Sequence, residues 1–186
     1  MNVMTRVFAA AAMSVVFVFS AQAEDKPLTE DQTKRFIQTL PAMEKLGDEF
    51  NESGKSEFMQ KDAMPKAGEA FKPYSTAMAS LKKNYPADLK RVSSAVKPHG
   101  FSADQWASVG DRVMVAYMAL QMEAEDPRTI AMMEGMDQSM IDMMPPEARA
   151  QMEGVFAMME TVRNVPEADK AMVRKFKPEL DAHMNR

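Results

Sequence analysis

Residues 101–125 read FSADQWASVGDRVMVAYMALQMEAE, and this stretch decides the fold. Ser102 followed three positions later by Gln105 is the pattern of a capping box, in which the hydroxyl accepts a free backbone N–H and the amide reaches back to the cap residue. Trp106, Val109, Val113, Ala116 and Leu120 then recur at alternating steps of three and four, which aligns them along one seam of a bundled α-helix. Met114, Met118 and Met122 recur at steps of four and make a second stripe. A helix that is apolar on two sides needs neighbours on two sides. It is expected at the centre of the fold.

Upstream, Leu28-Thr29-Glu30-Asp31-Gln32 repeats the same start, with Thr29 as cap and Gln32 as the reaching residue. Phe36, Ile37 and Leu40 supply the apolar face. Pro41 either starts a second helix at its first position or kinks the first, and Met43, Leu46 and Phe50 carry the pattern to about Glu52. Asn51 to Ser56 is a polar turn. From Glu57 to Lys97, Pro65, Pro73 and Pro86 divide the chain into short helical pieces. Phe58, Met59, Ala63 and Phe71 face inward from the first, Tyr74, Met78 and Leu81 from the second, and Leu89, Val92 and Val96 from the third. Lys82, Lys83, Lys90 and Arg91 form a small basic cluster, read as a solvated face. Lys97-Pro98-His99-Gly100 is a break.

Downstream, Asp126-Pro127 starts a helix saturated with methionine, and Pro145-Pro146 ends it and starts the next. Met152, Val155, Phe156, Met159 and Val162 face inward from that one. Val165-Pro166-Glu167 opens the last helix, where Met172, Phe176, Leu180 and Met184 follow at steps of four. No sustained alternating pattern and no Asn-Gly hairpin signal occurs. The expected fold is all-α, a single helical bundle of roughly six to eight short-to-medium helices punctuated by prolines.

The first 23 residues, MNVMTRVFAAAAMSVVFVFSAQA, carry one Arg, an apolar run from Val7 to Phe19 and the small pair Ala21 and Ala23. That is a three-part secretory signal, with cleavage expected before Glu24. Its apolar run is too short to span a bilayer, and no later run is longer. Residues 24–186 are then expected as one all-helical domain, periplasmic or secreted after signal removal, with no integral membrane segment. The chain has no cysteine, so neither disulfides nor thiol chemistry are available to it. Without the signal it holds 22 basic and 27 acidic residues, a formal charge of −5. Nucleic acid is therefore a poor partner.

Catalytic patterns are scarce: single scattered glycines, no Gly-x-Ser-x-Gly, no His-Glu-x-x-His, and two histidines, His99 and His183, far apart in sequence. Glu123, Glu125 and Asp126 read as a helix end and its cap. No enzyme activity and no cofactor is expected.

Twelve methionines lie between Met114 and Met159, and three uses compete for them. Ile130, Met133, Met140, Ile141 and Met144 form one helical stripe, with Met132, Met136 and Met143 on an adjoining arc. Asp137 falls inside the stripe and would need Arg112 or Arg163 as partner if buried. Methionine as adaptable core filler implies an unspecified structural or interaction role. An exposed arc of Met132, Met136 and Met143 implies a face for protein or apolar peptide, as in a chaperone. Paired thioethers at Met133, Met136, Met140 and Met144 suit a Cu(I) carrier on the oxidising side of a membrane.

Leu28 to Gln32, with the looser Phe101 to Gln105, is similar to the Leu-Thr-x-x-Gln signature of small helical periplasmic stress chaperones of the Spy and CpxP type. The similarity spans those five positions of each stretch. It implies a chaperone role.

Overall fold

The computed structural model describes residues 26–55, 64–125 and 143–184. Among them are seven α-helices and one 3₁₀ turn, and no strand. The helices are α1 (Glu30–Glu52), α2 (Pro73–Asn84), α3 (Pro86–Val96), α4 (Ala103–Ala124), α5 (Pro146–Arg163), α6 (Glu167–Lys175) and α7 (Lys177–Met184), with the 3₁₀ turn at Lys97–His99.

Both capping boxes form. The Gln32 N–H donates to Thr29 Oγ1 and the Thr29 N–H to Gln32 Oε1, and Ser102 and Gln105 exchange the same pair. α1 runs unbroken through Pro41. Pro41 is exposed, so the backbone bond it cannot make is lost on the side facing water, while Phe36, Leu40, Leu46 and Phe50 stay buried on the other. Between α2 and α3 the chain bends at Tyr85 (φ −141°, ψ 64°), because Pro86 bars its predecessor from helical geometry.

α4 is the central element, packed against α1, α2, α3, α5 and α6. Trp106, Val109, Val113, Ala116 and Leu120 are all buried. The second packed side differs from the expectation. Val115 and Ala119 are buried there with Val162 of α5, whereas Met118 and Met122 are half-buried at its border and Met114 is half-buried without joining it.

A ring cluster joins α1, α2 and α4. Phe36 stacks on Trp106 at 5.6 Å, and Tyr74 meets both edge-on at 5.7 and 5.2 Å. Trp106 Nε1 donates to Thr39 Oγ1 at 2.7 Å, and that hydroxyl donates to the Phe36 carbonyl at 2.6 Å. Gly110 makes the approach possible: a Cβ there would stand 2.9 Å from both Phe36 Cε2 and Tyr74 Cγ.

Three expectations are corrected. The stretch 64–72, expected as part of a helical piece, is an irregular strap with Gly68 at φ +76°; Phe71 in it is half-buried, and Phe58, Met59 and Ala63 lie outside the described residues. On α5 the buried positions are Gly154, Ala157, Met159 and Val162, with Met152, Val155 and Phe156 half-buried. Small residues win there because the strap comes so close that a Cβ on Gly154 would lie 2.8 Å from the Pro65 carbonyl. The last helix is two: α6 ends at Phe176, and Pro178 sits in the first turn of α7, where a missing N–H costs nothing. Val173 and Leu180 are the fully buried residues, with Met172, Phe176 and Met184 packed around them.

Candidate functional site

Beside Val115 the surface of α4 turns polar. Ser108, Asp111, Arg112 and Val115 fall at i, i+3, i+4 and i+7, and they form one wall of a cleft of about 580 Å³. The strap and the start of α2 (Gly68 to Lys72 and Ser75) form the second wall. Ala157, Glu160, Thr161 and Asn164 at the end of α5, continuing through Val165 and Pro166 to Asp169, form the third.

Each charged group on the floor has a structural reason for its place. α2 begins without a side-chain cap of its own, since Lys72 at the cap position contributes none. Asp111 supplies one from α4: its Oδ1 accepts the Tyr74 N–H at 2.7 Å and the Ser75 N–H at 3.2 Å, and its Oδ2 accepts the Ser75 hydroxyl. A carboxylate there meets the positive end of the helix. Burial nonetheless raises the Asp111 carboxyl above the ordinary value, against the lowering effect of those hydrogen bonds. The Tyr74 phenol is pushed up to about 12, by burial first and by the nearby Asp111 charge second.

Arg112 grips Asp169 in the two-pronged geometry that guanidinium and carboxylate share. Nε and Nη2 donate to Oδ2 at 2.9 and 2.7 Å, and Nη2 also to Oδ1 at 2.8 Å. Asp169 is 2% exposed. Its Oδ1 accepts the Leu28 N–H at 2.8 Å as well, so one carboxylate joins α4, α6 and the lead-in to α1. Thr161 Oγ1 accepts the Phe71 N–H at 3.0 Å, which fastens the strap to α5.

Ion pairs also tie other helices together at the surface. Glu123 at the end of α4 takes Lys170 at 2.6 Å and Arg174 at 3.2 Å from α6, and the Lys170 hydrogen bond holds its carboxyl below the ordinary range. Arg91 pairs with Glu49 and Asp88 while Lys82, Lys83 and Lys90 are exposed, which fits the solvated face expected of that cluster. His183 Nδ1 lies 2.6 Å from Glu44 Oε1, and the His99 carbonyl accepts from Arg35 at 2.9 Å. Among the described residues no three His, Cys, Asp or Glu side chains gather as a metal group would, and no helix is long and apolar enough to cross a membrane.

Of the positions singled out in the sequence, Ala21, Ala23, Glu24, Met132, Met133, Met136, Asp137 and Met140 lie outside the described residues. Met143 is 82% exposed. Met144 next to it is half-buried, and its carbonyl accepts Arg149 Nη2 at 3.4 Å. Arg112, one of two residues considered as a partner for Asp137, holds Asp169. The cleft residues Asp111, Asp169, Thr161 and Glu160 were not singled out. The available signal was a pair of carboxylates, Asp111 and Asp169, each one turn before a buried valine, Val115 and Val173, and so on a buried helical face where an acidic side chain needs a partner.

No protein family, curated protein or solved structure matches this chain.

Proposed function

We propose that the chain is an exported, non-enzymatic protein-interaction module that holds apolar segments of a partner against the methionine-bordered side of α4 and α5. The observation that carries this reading is the location of the methionines. Of the thirteen described, only Met78 and Met159 are buried; the rest of the core is chiefly aromatic residues, Leu, Val and Ala. Met114, Met118 and Met122 of α4, with Met152 and Met158 of α5, are half-buried, and Met143 is exposed. Core filler would put thioethers where Val113 and Leu120 stand. Unbranched, polarizable side chains at the water boundary can instead refit to differently shaped apolar partners. A chaperone of the exported compartment is one form of this role.

The test is to change Met118, Met122 and Met143 together to Gln. The expected result is a fall in binding of an apolar dye and of an unfolded client, with a smaller change in stability. Unchanged binding combined with a loss of several kcal/mol, the cost of burying amides without partners, would return the methionines to the core. Sub-micromolar Cu(I) affinity in the parent, lost when Met133, Met136, Met140 and Met144 are changed together to Gln, would replace this reading with a metal carrier.

A further inference from the structure

We infer that the cleft between the strap, α4 and the end of α5 is a pocket for a basic side chain of the bound partner, a lysine or arginine flanked by apolar residues. This rests on the interaction reading and adds the identity of the residue held.

Size permits it: about 580 Å³ lies within the usual range of roughly 300–1,000 Å³ for ligand pockets. The walls suit a side chain that is apolar along its stem and charged at its tip. Phe71, Val115, Ala157 and Val165 offer carbon to the stem. The ionisable lining is mostly acidic. Glu69, Asp111, Glu160 and Asp169 line the cleft against Lys72 and Arg112, four carboxylates to two cations. Three of those carboxylates are already engaged: Asp169 by the Arg112 fork, Asp111 by the start of α2 with the Lys72 charge nearby, and Glu69 by the Lys66 N–H at 3.2 Å. Glu160 is not: its side chain is exposed and has no hydrogen bond or ion pair among the described residues. A cation seated there would meet Glu160, with the Thr161 and Asn164 side chains beside it. The net acidity of the chain steers the same class of partner.

The experiment uses fluorescein-labelled nine-residue peptides of Leu and Ala with a central Lys, norleucine or Glu, and reads binding to the full mature chain by anisotropy. The Lys peptide should bind roughly fivefold tighter than the norleucine peptide, the upper end for a pair open to water, and the Glu peptide should bind weakest. Glu160→Gln should erase most of the Lys preference, Glu160→Lys should invert it, and Asn164→Trp at the mouth should weaken Lys-peptide binding while leaving the melting temperature unchanged. Both positions are exposed, so these variants keep the fold. Equal binding of the Lys and norleucine peptides, or a Lys preference that survives both Glu160 variants, overturns the pocket. If the apolar dye still binds in that case, only this inference falls. If neither dye nor any peptide binds, the interaction reading falls with it.

Discussion

Asp169→Ala should be among the most damaging single changes outside the ring cluster. The substitution removes three contacts of 2.7 to 2.9 Å from the Arg112 guanidinium and the acceptor of the Leu28 N–H. Arg112 keeps only 21% of its side chain in water, so most of its charge would be left without its carboxylate. Breaking a buried pair from one side costs about 3–5 kcal/mol. The partial exposure of Arg112 lets water reach the guanidinium and places the expectation near the lower end, about 3 kcal/mol. Urea unfolding followed by circular dichroism reads it directly: with a slope of about 1–3 kcal/mol per molar, the midpoint should fall by roughly 1–3 M. The double variant Arg112→Met, Asp169→Leu should recover a large part of the loss, because two apolar side chains leave no orphaned charge. Equal midpoints for Asp169→Ala and an exposed control, or a double variant no better than the single, would refute the assignment of this pair as a structural clasp.

Leu120→Ala should cost about 2–5 kcal/mol, and Lys90→Ala, on the exposed face of α3, less than about 0.5 kcal/mol; equal losses in urea melts would mean that the seam of α4 is misassigned. Gly110→Ala should destabilise by about 1–3 kcal/mol through overpacking against Phe36 and Tyr74, and a neutral or stabilising outcome would show that the rings can give way. Because burial raises the folded-state value of the Asp111 carboxyl, its contribution to stability is fully present below its unfolded value near pH 4 and is lost as pH rises through the raised folded value. Asp111→Asn should therefore gain relative to the parent across that window in paired melts, and a constant difference would contradict the raised value. N-terminal sequencing of protein recovered from the exported fraction should begin at Glu24 rather than read through Ala23.

The parts of the fold carried by local chemistry were legible in the sequence. Thr29 with Gln32 and Ser102 with Gln105 place two helix starts, and the three-four rhythm from Trp106 to Leu120 marks the central helix. The break at Phe176 was also written there, in Pro178, but the steps of four from Met172 to Met184 hid it, since α6 and α7 each keep their own apolar residue on the core. What periodicity could not show is any device made between distant elements. Asp111 caps a helix whose start lies 37 residues upstream, and Thr161 anchors a strap 90 residues away. No helical wheel contains either fact. The cleft is built almost entirely of such pairings, which is why the sequence pointed to methionines and away from Glu160.

The hydrogen bond from Leu28 to Asp169 also sets a rule for the order of events as the chain folds. Its partners are 141 residues apart, and closing a loop of that length costs about 4 kcal/mol of chain entropy before any contact repays it. Closure can come only after α6 has been synthesised, so the lead-in to α1 waits for nearly the whole polypeptide. Contacts of this span slow folding. The His183–Glu44 contact between α7 and α1 spans 139 residues and obeys the same rule. The Thr29–Gln32 capping box can therefore order the start of α1 locally, while its attachment to the rest of the fold through Asp169 and His183 waits for the C-terminal helices.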